Sequence, residues 1–382
     1  MNTAITNPIN LILIIIGSFL GLSLGFFLLL NKSAKNKANL FLGVLVLAIT
    51  TFFLPAFFYR FDLLPQVPHV IGVSNVVTFL IGPLAYLYVC ACTQKGFQMR
   101  PLVWLHFLPF VLDILIQSPI LLQSGAEKVT MYLNFVKYGN LNQPPFLLLI
   151  KTLQGVTYFA LAIRLILRYR DHLSNTTSTI DTAFHRWILV FLCILAFPIF
   201  SLMGLVFIDF KRVLLMIVLL SSFLFFFAAY LAALVKPELF HAFPHQISTP
   251  ESADEQKGKY ENSKLQEEQK EKYIEKVLAY IESEKPYQAS ELTLTELSEQ
   301  VKIPAHYLSQ VINEKLNVNF LDFINSYRVK DAQAKLTNPK LSHYTILAVA
   351  YDAGFNAKST FYAVFKKHTG MTPSEYKKAQ QA

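Results

Sequence analysis

Two groups of polar side chains in this sequence are placed to do chemistry. The first lies near the end of the chain, from Thr345 to Tyr376, reading TILAVAYDAGFNAKSTFYAVFKKHTGMTPSEY. The pattern predicts two short helices around a tight turn, with Gly354 in the turn and Asn356 as N-cap of the second helix. Phe361, Val364, Phe365 and His368 recur at helical spacing and are expected to face a core. The opposite face carries Ser359, Ala363 and Lys366, flanked by Tyr362 and Lys367. A short, basic, polar-faced helix braced by another fits a DNA major groove.

An earlier stretch, Leu292 to Glu314, repeats the arrangement. Leu294, Leu297 and Val301 face inward, Lys302 to Pro304 turn, and a second helix starts at Ala305 with Leu308, Val311 and Ile312 inward. His306, Gln310 and Asn313 then point outward with Ser309 at the flank. Gln and Asn pair bidentately with adenine, so this face has the chemistry to read sequence. Lys302 takes the turn position that Gly354 holds in the second copy, which predicts a strained backbone there. Asn319 to Leu336, with Phe320, Phe323, Ile324 and Tyr327 on one side, is a spacer helix that would fix the two readers about 34 Å apart, one turn of DNA. The amphipathic stretch Glu267 to Glu284 precedes them.

The second group sits in apolar surroundings. Seven runs, near Ile9–Leu30, Ala38–Tyr59, His69–Cys92, Pro101–Leu122, Pro145–Leu167, Trp187–Ile208 and Val213–Val235, are long enough for bilayer crossings of about 20 residues. Asp113 falls mid-run, where a carboxylate is costly unless paired, and Lys151 on the next antiparallel run is placed to reach it. The pair is either a sensing site or a structural contact between helices. Asn75, His106 and Gln154 fit interhelical hydrogen bonds. Pro55, Pro83, Pro109 and Pro198 predict kinks, and Gly17, Gly21 and Gly25 form a small-residue ridge suited to packing within the same bundle.

Composition agrees with such a division. Of 382 residues, 53% are hydrophobic and 15% charged, with a net charge of +9. The region from Lys264 onward is charge-rich, so the apolar excess is concentrated upstream. The basic balance suits nucleic acid or anionic lipid equally. Cys90, Cys92 and Cys193 lie in apolar runs as expected small buried residues, with neither a disulfide framework nor metal spacing. Connections after the first, third and fifth runs carry eight Lys and Arg against five on the other side, which places the N-terminus outside and the C-terminus in the cytoplasm. Met1 to Pro8 lacks the basic residues of a secretory signal. The aperiodic stretch 236–264 reads as a tether.

LTLTELSEQ, HYLSQVINEKLNVNFLDFINSYRV and GFNAKSTFYAVFKKHTGMTPSEYK resemble the DNA-binding domain of the AraC/XylS family of bacterial transcription regulators, over about the last quarter of the chain. The resemblance implies base reading by His306, Ser309 and Gln310, with Asn313 on the same face, and by Ser359, Thr360 and Ala363. It implies phosphate contacts at Lys358, Lys366 and Lys367. Arg328 matches a family arginine that is either structural or a phosphate contact. Ala363 stands where many relatives have arginine, so the second helix is expected to act mainly through phosphates and thymine methyls. Ser298 stands where the family's first copy usually has alanine.

The expected architecture is all-α: a seven-helix transmembrane bundle (1–235), a linker (236–264) and a soluble AraC-type domain with two helix-turn-helix motifs (265–382). The expected function is that of a one-component regulator in the bacterial cytoplasmic (inner) membrane. Its partners would be double-stranded DNA, the lipid bilayer and an unknown small-molecule or membrane signal, with a homodimer on a full operator. No catalytic or metal-ligating constellation is visible, so no enzymatic activity and no cofactor are expected. The alternatives are a membrane transporter or enzyme with an appended regulatory module, and a membrane adaptor whose helix-turn-helix domain binds protein.

Overall fold

Among the described residues the apolar and amphipathic runs fold as helices with no strand, and the protein is all-α. The computed structural model describes residues 8–30, 37–94, 97–138, 144–179, 188–194, 220, 222–230, 265–341 and 343–380. The proposed tether, Pro198, and most of the sixth and seventh apolar runs lie outside them. The chain divides into two compact units, residues 1–167 with 182–249, and residues 168–181 with 250–382.

In the first unit α1 spans Pro8–Leu30, α2 Lys37–Thr50, α3 Leu54–Arg60, α4 Val73–Thr93, α5 Leu108–Leu121 and α6 Gly125–Tyr138. Helix α7 runs without a break over Pro145–Thr176, and its residues from Arg168 onward belong to the second unit. Among the described residues four helical segments are long and apolar enough to cross a membrane: Leu11–Leu30, Pro68–Thr93, Pro101–Leu121 and Phe146–Thr176. A fifth is the pair α2 and α3, bent by 41° where Pro55 opens α3. Pro83 sits inside α4 without ending it, and Pro109 occupies the first turn of α5. There Pro lacks only an N–H that would be unpaired in any case.

The first unit has an apolar surface as well as an apolar interior, and it encloses charged side chains. Phe19 is 69% exposed and Leu115 64%, whereas Asp113 and Lys151 are 1% and 4% exposed. In water this arrangement would forfeit hydrophobic stabilisation; against lipid the exposed apolar atoms cost nothing. Gly17 and Gly21 let α1 close onto Phe53, Thr50 and Phe226, so the small-residue ridge packs inside its own unit. Cys90 and Cys92 are buried, but Cys193 is exposed, contrary to its sequence reading, on an apolar helical stretch.

In the second unit α8 spans Glu267–Glu284, α9 Leu294–Val301, α10 Ala305–Leu316, α11 Phe320–Thr337, α12 Ile346–Asp352, α13 Lys358–Thr369 and α14 Pro373–Ala379. Thr293 and Glu296 form a capping box that starts α9, and Thr372 and Glu375 form another that starts α14. Helix α11 opens on Asn319, whose side chain accepts from the Asp322 N–H at 2.8 Å, and it serves two cores. Its first half, Phe320 to Ile324, packs with Val277, Ile281, Leu297, Leu308 and Ile312. Its second half, Val329 to Leu336, packs with Val349, Phe355, Phe361 and Phe365. Truncating one such buried Phe to Ala typically costs about 3–5 kcal/mol.

Local details depart from expectation. The N-cap of α13 is Ala357, with no side-chain cap bond, while Asn356 is exposed one position earlier. His368 is exposed in the last turn of α13 rather than facing the core. There its ring joins Lys366 and Lys367 at the negative end of the helix dipole. Tyr327 is half-buried rather than buried. Ser298 is accommodated because its hydroxyl donates to the Thr295 carbonyl at 2.7 Å.

The two turns reach the left-handed region by different means. Lys302 adopts φ 52° despite its side chain. Gly354 has φ 93°, and a Cβ there would collide with the Tyr287 carbonyl oxygen and approach the Gln288 Cα to 2.9 Å. Gly354→Ala should therefore destabilise the second unit by at least about 2 kcal/mol. Pulse proteolysis of the detergent-solubilised protein, followed at the 265–380 region, measures it; an unchanged unfolding midpoint would refute the close approach.

Candidate functional site

The outward face of α10 is assembled from helix periodicity and held from both sides. His306 and Asn313 are exposed, and Ser309 and Gln310 half-buried. Gln310 Nε2 donates to Glu314 Oε1 at 3.0 Å, and Glu314 in turn pairs with Lys270 of α8 at 2.7 Å. The Lys270 hydrogen bond, followed by that of Gln310, holds the Glu314 carboxyl below its usual range. Lys315 pairs with Glu267 and, at 3.4 Å, with Glu271. These exposed pairs fix orientation more than they add stability. Asn313 Nδ2 donates to Ser309 Oγ at 3.5 Å and to Asn175 Oδ1 at 3.3 Å.

On α13 Ser359 and Ala363 are exposed and Thr360 is half-buried. Lys358 and Lys366 are exposed, the former with its Nζ 5.6 Å from the Tyr362 ring centroid. Lys367 pairs with Asp322 of α11 at 2.8 Å, so its charge is already partly matched within the protein. The face thus combines small side chains with cations at its edge.

Arg328 is the residue whose two sequence readings the structure separates. It is 1% exposed, and its guanidinium donates to the carbonyls of Tyr287, Ala289 and Ser290 and to the carbonyl and hydroxyl of Ser178, at 2.8 to 3.3 Å. It is structural, with no route to a phosphate. Burial lowers its pKa to about 10.

In the first unit the structure brings Asp113 and Lys151 together at 3.1 Å. Gln117 donates to the same carboxylate oxygen at 2.6 Å, and Lys151 also donates to the Asn75 carbonyl at 2.8 Å. Asp113 Oδ1 has no hydrogen-bond partner among the described residues. Gln154 donates to the Phe79 carbonyl at 3.1 Å, and His106 Nδ1 meets the Tyr158 hydroxyl at 2.8 Å. Sequence reasoning missed a second buried cation, Lys128, which donates to the Leu121 carbonyl at 2.7 Å and meets His69 Nδ1 at 3.2 Å. Its place in the connection between the fourth and fifth apolar runs gave no sign of burial. Among the described residues no cluster of His, Cys, Asp or Glu could hold a metal ion.

A double helix-turn-helix DNA-binding domain is the class that this second unit defines. Residues 297–379 match the family model described as a helix-turn-helix domain. The chain is 32% identical over 109 residues to the melibiose operon regulatory protein of Escherichia coli K12, covering 28% of this chain and 34% of that one. It is 36% identical over 87 residues to an uncharacterized HTH-type transcriptional regulator of Staphylococcus aureus MSSA476, covering 23% of this chain and 11% of that one. A solved protein of unknown function from Listeria innocua is 33% identical, with a TM-score of 0.25 over 28% of this chain and 95% of its own. The C-terminal segment is an AraC-type helix-turn-helix domain, and the relatives it resembles are an operon regulatory protein and an HTH-type transcriptional regulator. The chain spans about a third of the length of the melibiose relative.

Gln310→Ala should lower discrimination at one or two base pairs by about 1–3 kcal/mol, whereas Lys366→Ala should weaken all sequences and flatten the salt slope by about one. Selection of random duplexes at several salt concentrations separates the two; uniform loss for Gln310→Ala would remove it as a reader. Asp113→Leu should cost about 3–5 kcal/mol because Lys151 is left buried without its carboxylate, and adding Lys151→Met should recover most of that loss. Thermal unfolding in detergent compares them, and additive losses in the double variant would contradict the pairing.

Proposed function

We propose that the protein is a one-component transcription regulator held in the bacterial cytoplasmic membrane, N-terminus outside, with its reader in the cytoplasm. In this reading the seven apolar runs form the bundle and a signal acts on it near Asp113 and Lys151. His306, Ser309, Gln310, Asn313, Ser359, Thr360 and Ala363 read bases, Lys358, Lys366 and Lys367 meet phosphates, and two copies occupy a full operator. The observation that carries the reading is one chain joining an AraC-type domain to helices that turn Phe19 and Leu115 outward and enclose an Asp–Lys pair. A polar pair sealed within apolar helices has the character of a two-state element, since shifting it strands a charge.

Genome-wide DNA occupancy of the intact protein tests the proposal, with a Gln310, Ser359 and Lys366 triple alanine variant as control. Discrete sites that are lost in the control, from protein that fractionates with membranes, are the expected outcome. Binding that ignores all three substitutions would reject the assigned face, and protein found in the soluble fraction would reject the membrane location.

A further inference from the structure

The second unit includes a piece of chain far removed from it in sequence. Residues 168–181, which comprise the end of α7 and a short extension beyond it, are part of this unit. Tyr169 and Leu173, four apart on one helix face, are 4% and 5% exposed, and Thr177 and Ser178 are 3% and 1% exposed. Thr177 forms an antiparallel bridge with Thr293, the N-cap of α9, and the Ser178 N–H donates to the Leu292 carbonyl at 3.0 Å. Ser178 gives Arg328 two acceptors, its carbonyl at 2.9 Å and its hydroxyl at 3.0 Å. Asn175 Oδ1 accepts from Asn313, within the outward row of α10.

These contacts form a docking surface with a stated occupant. The Arg328 guanidinium meets carbonyls and a hydroxyl and pairs with no carboxylate among the described residues. Undocking Ser178 would strand buried N–H groups of a cation. The docked segment is therefore held, and it is held against the reading face itself. The two amide hydrogens of Asn313 are directed at Asn175 Oδ1 and Ser309 Oγ, so pairing with a base edge must displace one of these partners.

We propose that the Asn175–Thr179 segment is an internal competitor of DNA, by which the membrane helix that also carries Lys151 controls the first reading helix. This rests on the reading of the first unit as a membrane sensor. Movement of α7 would withdraw the segment and release Asn313. By linkage, DNA binding would in turn favour withdrawal.

The test uses the full chain in lipid vesicles and a pool of random-sequence duplex DNA. Ser178→Pro removes both the N–H donor to Leu292 and the hydroxyl that serves Arg328, and Asn175→Ala removes the contact with Asn313 together with a local bond to the Asp171 carbonyl on its own helix. Both should tighten binding to the selected duplexes, Ser178→Pro by about 5- to 150-fold, the usual span of such coupling. Independently, Thr177→Cys, in a chain whose Cys90, Cys92 and Cys193 are replaced by alanine, should be labelled by a maleimide faster when DNA is added. If Ser178→Pro does not accumulate as folded protein, the labelling experiment decides alone. Affinity unchanged in the variants, or a labelling rate indifferent to bound DNA, would overturn the competition while leaving the DNA reader in place. No binding to any duplex by any form would overturn the reader and the competition together.

Discussion

A single buried cation organises the second unit. Arg328 leaves α11 at the junction of its two cores and donates into the backbone turn Tyr287–Ser290 ahead of the first helix-turn-helix. Its guanidinium carbon lies 5.9 Å from the Phe355 ring centroid, beside the Gly354 turn of the second. Desolvating a guanidinium costs several kcal/mol, and each carbonyl that meets it must be held in place by the fold. The arginine thus makes the two reading modules and the chain before them conditional on one another. A lysine could not substitute, because its point charge lacks the planar fork that reaches acceptors in several directions.

The first unit solves the opposite problem. In the proposed membrane setting, hydrophobic burial gives little reason for one helix to choose another, and packing and polar contacts must supply it. Close approach at Gly17 and Gly21 provides the packing. Asp113 with Lys151 and Gln117, Gln154 with the Phe79 carbonyl, and Lys128 with the Leu121 carbonyl provide the polar contacts. Each ties together segments distant in sequence or fixes a loop end.

The sequence was most legible where one period and one burial pattern coincided. The inward rows of α9 and α10, the extent of α11 and the Asp113–Lys151 pairing all follow from spacing. It was least legible where partners are far apart along the chain. Nothing near Arg328 reveals Ser178, 150 residues earlier, and nothing near Lys128 reveals His69. Cap identity failed at Asn356 because a one-residue shift in the start of α13 moves the side chain out of reach. His368 sits at a position that periodicity turns inward, but the last turn of α13 extends past the core it would have met.

The bridge between Thr177 and Thr293 also has a meaning in the order of synthesis. The docking segment leaves the ribosome long before the surface that receives it, and every residue between them is then enclosed in one large loop. Closing such a loop becomes only slowly more costly with its length. Once closed, the segment and its surface remain tethered neighbours, so that even a modest contact meets its partner at high local concentration. DNA arriving from solution must compete with a ligand that can never diffuse away.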